Sequence, residues 1–149
     1  MAVTLDATDH AIIGALLDDA RLSARAIGRR VGLSAGTVTQ RITRLEAAGV
    51  IGGYRVVLDP SLVGRALGFV IGLQITQGTP LAGTLDELIQ LPEIDEVFVV
   101  TGRWDLLVVG RVADPPALNR LLTERLWQSP SFRHSETMLV IDDRRSPRT

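Results

Sequence analysis

Residues 22–53 read LSARAIGRRVGLSAGTVTQRITRLEAAGVIGG, and this stretch decides the fold of the first half of the chain. Ser23 stands where a side-chain oxygen caps a helix, and Ala26, Ile27 and Val31 follow on one face of it. Gly32 stops that helix and Leu33 plugs the turn. Ser34 caps the next, whose inner stripe is Val38, Ile42 and Leu45, until Gly49 ends it. Two short helices around a tight turn predict a helix-turn-helix. Upstream, Asp6 caps a first helix with Ile12, Ile13, Leu16 and Leu17 at helical spacing, and Asp9 favours its positive end. Downstream, residues 50–57 (VIGGYRVV) read as a short hairpin, so residues 1–55 are predicted to form a winged helix-turn-helix.

Charge sharpens this reading. Between residues 20 and 55 lie seven arginines, at 21, 25, 29, 30, 41, 44 and 55, against one acid, Glu46. The overall net charge of −1 hides the asymmetry. Residues 1–55 carry seven Arg against five acids, and residues 56–149 nine Arg against twelve. Polyanion contact is therefore expected in the first half, and double-stranded DNA is the expected partner. All sixteen basic residues are arginine, a uniformity that reflects codon bias more than chemistry. The chain has no cysteine and two histidines, which removes thiolate and histidine-rich metal sites. No apolar run approaches the roughly 20 residues that cross a bilayer, and no signal segment opens the chain, so a cytoplasmic protein is expected.

The outward face of the third helix carries the functional expectation. With Val38, Ile42 and Leu45 inward, a step of about 100° per residue puts Gly36, Gln40 and Thr43 opposite them. Thr37 and Arg44 flank one side. Ser34, Gly36, Thr37, Gln40 and Arg44 are expected in or beside the major groove, where Gln40 suits an adenine edge. Arg25 and Arg29 are expected on phosphates. Arg41 lies nearer the buried boundary and suits a phosphate or a structural ion pair.

The second half has a different rhythm. Residues 56–66, broken at Asp59-Pro60, are expected as a linker strand. The strands are predicted at 66–76, 97–101, 106–112 and 133–141. Helices are predicted after Thr79-Pro80, with Leu81, Leu85, Leu88 and Leu91, and after Asp114-Pro115, with Leu118, Leu121, Leu122 and Leu126. The order βαββαβ over residues 67–142 predicts a ferredoxin-like sandwich, followed by a polar tail at 143–149. The fold class is α+β. The uncovered sheet face is too apolar for open water, so a homodimer packing sheet on sheet is expected.

Quoted in order, Leu5-Asp6 with Asp9, Arg21-Leu22-Ser23, Gly32-Leu33-Ser34, Arg41-Ile42 with Arg44-Leu45-Glu46, Gly49-Val50-Ile51 and Tyr54 make a dense pattern. It closely resembles the N-terminal domain of the Lrp/AsnC (feast/famine) regulators, and the second half resembles their effector-binding and oligomerisation domain. The resemblance implies a transcriptional regulator whose dimers assemble further, as far as an octamer, with an amino acid bound between dimers. It places the effector near Thr101, Gly102, Arg103 and Asp105, with Ser135 and Thr137 on the last strand. The family's Gly-acid-x-Asp stands here as Gly102-Arg103-Trp104-Asp105, so an acid has become Arg103. Trp104 either closes the pocket or anchors an oligomer contact, and His134 begins the last strand nearby. No catalytic constellation and no cofactor motif is present. Two other readings share parts of the layout: an enzyme resembling the sirohaem decarboxylases, and a nucleoid-organising protein of weak sequence preference.

Overall fold

The structure is a computed structural model that describes residues 4–144. The chain divides into two compact units, one built on residues up to Val56 and the other on Val57–Asp143.

The first unit holds α1 (Ala7–Asp18), α2 (Ala24–Val31) and α3 (Ala35–Ala47). Each begins where the sequence supplies a cap. Asp6 accepts from the Asp9 N–H and Asp9 answers on the Asp6 N–H, a reciprocal capping box. Ser23 accepts from the Ala26 N–H, and Ser34 from the Thr37 N–H. At the end of α2, Gly32 takes the left-handed conformation (φ 74°), which a side chain would resist, and so frees the chain to turn into α3. Ile12, Ala15, Ile27 and Val38 form the buried centre, with Leu16, Val31, Leu33 and Ile42 packed around it. Leu45 is also buried, whereas Leu17, expected inside, is half exposed.

The short hairpin expected at residues 50–57 is corrected. Residues 50–57 form no strand pairing. Val56 and Val57 stand exposed, and Tyr54 instead donates its hydroxyl to Glu46 at 2.9 Å. Two consecutive glycines, Gly52 and Gly53, weaken any strand there. The linker strand is corrected too, because residues 56–66 contain turns and no strand. Asp59 accepts from the Ser61 N–H, and Arg65 is fixed by the Glu93 and Arg111 carbonyls and by Asp95 at 2.9 Å.

The second unit is a four-stranded antiparallel sheet in the order β2-β3-β1-β4, the ferredoxin-like arrangement. The strands are β1 (Leu67–Ile75), β2 (Ile94–Val99), β3 (Leu106–Val112) and β4 (Phe132–Leu139). Between them run α4 (Leu81–Ile89) and α5 (Pro115–Arg120). Pro80, at the N-cap of α4, has no side chain that can cap it, whereas the Asp114 carboxylate caps α5 by accepting from the Ala117 N–H. Alternate residues Phe69, Ile71 and Leu73 of β1 and Leu106, Val108 and Val112 of β3 meet Leu88, Leu118, Leu121 and Leu126 from the helices. β2 starts earlier than predicted because Ile94 belongs to this core. The polar tail expected at 143–149 lies, beyond Arg144, outside the described residues.

One feature of the second helix departs from the expectation of a single α-helix. Residues Leu121–Leu126 form a π-helical turn, with Trp127 N–H donating to the Leu122 carbonyl at 2.8 Å. In an unbroken α-helix the position seven beyond Leu118 returns to the same face, and that position is Arg125. The wider turn carries one more residue, so Leu126 enters the core and Arg125 stays at the surface.

Candidate nucleic-acid interface and ligand site

The capping box of α1 does more than end a helix. Asp9 is completely buried, and its carboxylate accepts from Arg41 Nη1 at 2.8 Å and Arg44 Nη2 at 2.5 Å, both on α3. Arg41 Nη1 also reaches Asp6 Oδ2 at 2.6 Å. The Asp6 backbone N–H, together with Arg41 and Arg44, holds the Asp9 carboxyl at about 2, against the upward push of burial. The Arg41 hydrogen bond, followed by the Asp9 N–H, likewise lowers the Asp6 pKa. Two acids thus neutralise two of the seven arginines. Of the alternatives open for Arg41, the structure shows the ion pair. Arg44, expected beside the groove, is instead turned back toward α1, with its side chain half exposed.

Three of the cations without a partner among the described residues lie on α2. Arg25, Arg29 and Arg30 are exposed, and among the described residues none of their guanidinium groups has a hydrogen bond or an ion pair. On α3, Gly36, Gln40 and Thr43 are exposed, and the Gln40 amide has no protein partner among the described residues. Ser34 and Thr37 are shared between local bonding and the surface, their hydroxyls 2.8 Å apart. The result is a neutral, hydrogen-bonding helix face on the same small unit as a cationic helix, a division suited to base edges and phosphates respectively.

In the second unit the loop after β2 folds back on the sheet. Gly102 takes a positive φ of 114°. The Gln74 amide donates to the Arg103 carbonyl at 2.8 Å, and the Asp105 N–H donates to the Leu73 carbonyl at 3.0 Å. These bonds lay the Trp104 indole on Gly72, where an added Cβ would stand 2.6 Å from two ring atoms. Gly72 therefore leaves the space the indole fills. His134 stacks on the same ring at 5.5 Å and 9°, Arg103 lies 4.8 Å above it, and Arg103 pairs with Glu136 at 3.3 Å.

The expected effector residues do not converge within one chain. Thr101 is exposed. The Asp105 carboxylate is occupied by the Ile75 N–H at 2.8 Å. Ser135 and Thr137 pair across from Leu73 and Ile71 and share their helix-covered face, where Ser135 Oγ accepts from the Trp127 indole N–H at 3.2 Å. Trp104, His134 and Glu136 occupy the other face. Within one chain the strand's alternation thus separates Asp105 from Ser135 and Thr137. Sequence reasoning missed Gly72, Gln74 and Glu136, and the only signal was a glycine interrupting an apolar strand.

A helix-turn-helix with a free polar face, joined to a ferredoxin-like domain, defines a DNA-binding protein with a separate ligand-binding module. Residues 5–51 match the winged helix-turn-helix DNA-binding model, and residues 69–148 match the Lrp/AsnC ligand binding domain. The chain is 32% identical over 137 residues to the HTH-type transcriptional regulator Ptr1 of Methanocaldococcus jannaschii, covering 92% of each. It is 33% identical over 141 residues to the leucine-responsive regulatory protein of Haemophilus influenzae, covering 93% of this chain and 85% of that one. The structure superimposes with a TM-score of 0.90 on a transcriptional regulator of Neisseria meningitidis in complex with L-Met, at 25% identity, covering 96% and 94% of the two chains. Escherichia coli AsnC shares the fold, with a TM-score of 0.88 at 24% identity over 97% and 99%. The chain belongs to the Lrp/AsnC family. It is a transcriptional regulator with a DNA-binding helix-turn-helix and a ligand-binding domain. Among the described residues no helix is long and apolar enough to cross a membrane.

Proposed function

We propose that this regulator reads a DNA operator with the Gly36–Gln40–Thr43 face of α3 and holds the duplex through Arg25, Arg29 and Arg30. Ser34 and Thr37 border the groove at the start of that helix. Arg41 and Arg44 mainly orient it, through Asp9. The observation that carries this reading is the Gln40 amide, unpartnered among the described residues, on a neutral helix face, in the unit where α2 supplies three cations without a partner among those residues. In an operator titration, Gln40→Ala costs about 1–3 kcal/mol on the cognate site and little on random duplex. Equal losses on both sequences sink the groove assignment.

The protein acts in the cytoplasm, where its DNA is, as a homodimer that assembles further, up to an octamer. Support for the dimer comes from the uncovered sheet face, where Val70, Leu107 and Val109 sit beside exposed Phe98 and Met138. An amino acid bound near the Thr101–Asp105 loop modulates DNA binding. The L-Met complex of the Neisseria meningitidis neighbour supports that class of effector. Because Ser135 and Thr137 take the helix-covered face of the sheet, they act at this site only through the approach of a second dimer. Thermal-shift screening of the protein amino acids, followed by operator titration with any hit, tests this. A ligand that stabilises the fold without changing operator affinity contradicts the regulatory role.

A further inference from the structure

The helix layer of the second unit contains a cleft of about 160 Å³ that the DNA-reading face and the Thr101–Asp105 loop do not involve. Its floor is apolar, formed by Leu88 and Leu126, both buried, with Leu91 and Phe132. Its rim carries one anion, Glu87 of α4, and one cation, Arg125 of the π-helical turn. Among the described residues neither has a hydrogen bond or an ion pair, although both line the same cleft. Two hydroxyls complete it. Thr84 donates to the Pro80 carbonyl, while Ser129 Oγ accepts from the Ser131 N–H, leaving the Ser129 proton available.

The cleft is below the roughly 300–1,000 Å³ of pockets that take drug-sized ligands. Its chemistry is that of a small molecule with separate positive and negative ends and a short hydrocarbon body. We propose that this cleft is a second ligand site, taking a small aliphatic zwitterion. The ammonium faces Glu87, the carboxylate takes Arg125 and the Ser129 hydroxyl, and the alkyl group rests on Leu88 and Leu126. Arg125 suits the carboxylate because its planar fork donates two parallel hydrogen bonds. The π-helical turn makes the site, because a regular helix would turn Arg125 toward the core.

The experiment is calorimetric titration of the full chain with L-leucine, N-acetyl-L-leucine and L-leucinamide. Saturable L-leucine binding is expected, about tenfold weaker in Arg125→Gln and in Glu87→Gln, the loss typical of one charged hydrogen bond. Glu87→Gln should leave N-acetyl-L-leucine, which lacks the ammonium, unchanged. Arg125→Gln should likewise leave L-leucinamide, which lacks the carboxylate, unchanged. Matching circular dichroism melts separate these losses from unfolding. No saturable binding of L-leucine, or undiminished binding in both variants, overturns the proposal. L-leucine binding lost in Asp105→Asn and intact in both cleft variants places the ligand at the loop. That result rejects the cleft and leaves the effector reading standing.

Discussion

Replacing Gly72 by alanine tests whether the Trp104 loop is packed on the sheet, because the substitution has opposite signs with and without the indole. Gly72 lies within β1 and is not among the positive-φ glycines, so alanine fits its backbone. With open space above it, the change would stabilise by about 0.4–1 kcal/mol, since alanine has less conformational freedom to lose on folding. Here the new methyl meets the indole at 2.6 Å, so the ring must leave. Its departure ends the stack on His134, worth about 0.5–1.5 kcal/mol, and the Arg103 contact, worth about 0.5–1 kcal/mol when exposed. The Arg103–Glu136 pair, exposed on both sides, adds little. The balance is a destabilisation of about 1 kcal/mol, against a stabilisation if the ring were elsewhere. Urea unfolding followed by tryptophan emission reads this unit alone, because both tryptophans, Trp104 and Trp127, lie in it. Protein concentration must be fixed, since assembly on this face would move the midpoint. In a Trp104→Ala background, followed through Trp127, Gly72→Ala should become stabilising. A stabilising Gly72→Ala in the parent chain, or the same effect in both backgrounds, refutes the packing.

The ion-pair geometry makes a second test. Arg25→Ala and Arg29→Ala should each lower the slope of log affinity against log salt by about 1 on any duplex, while Arg41→Ala leaves the slope unchanged and lowers the melting midpoint of the first unit. Acid should loosen the same unit. The Asp9 pKa is about 2 when folded against the usual 3.8, so its contribution is complete above about pH 4 and lost as pH falls toward 2; Asp9→Asn should flatten that part of the stability profile. Leu45→Ala should cost about 2–5 kcal/mol in chemical denaturation, because the side chain is fully buried at the centre of α3's inner face. Ser34→Ala should cost about 0.5–2 kcal/mol by removing the cap on the Thr37 N–H.

What the sequence discloses follows the range of the interactions. The caps at Asp6, Ser23, Ser34 and Asp114 are local, and each lies where its residue type places it. β3 falls on the predicted residues because its apolar run, buried at alternate positions, stands between Asp105 and Asp114. Contacts across long stretches of chain are not legible in this way. Arg44 and Asp9 are 35 residues apart, and helical periodicity alone leaves Arg44 facing outward. Ser135 and Thr137 were grouped with the loop by resemblance, yet only the β1–β4 register decides which face they take. The π-helical turn escapes detection because it arises from a conflict between Arg125 and Leu126 over one core position, settled by packing. The hairpin at 50–57 has strand-forming residues but no partner strand within the unit.

That widened turn also links chain length to chemistry. A relative one residue shorter between Leu118 and Trp127 closes the helix as a regular α-helix and needs an apolar residue where this chain has Arg125. The cation at the cleft is then removed by a deletion rather than by a substitution. In an alignment of such regulators, a single-residue gap in this helix is the mark that separates chains able to form the cleft from those that are not.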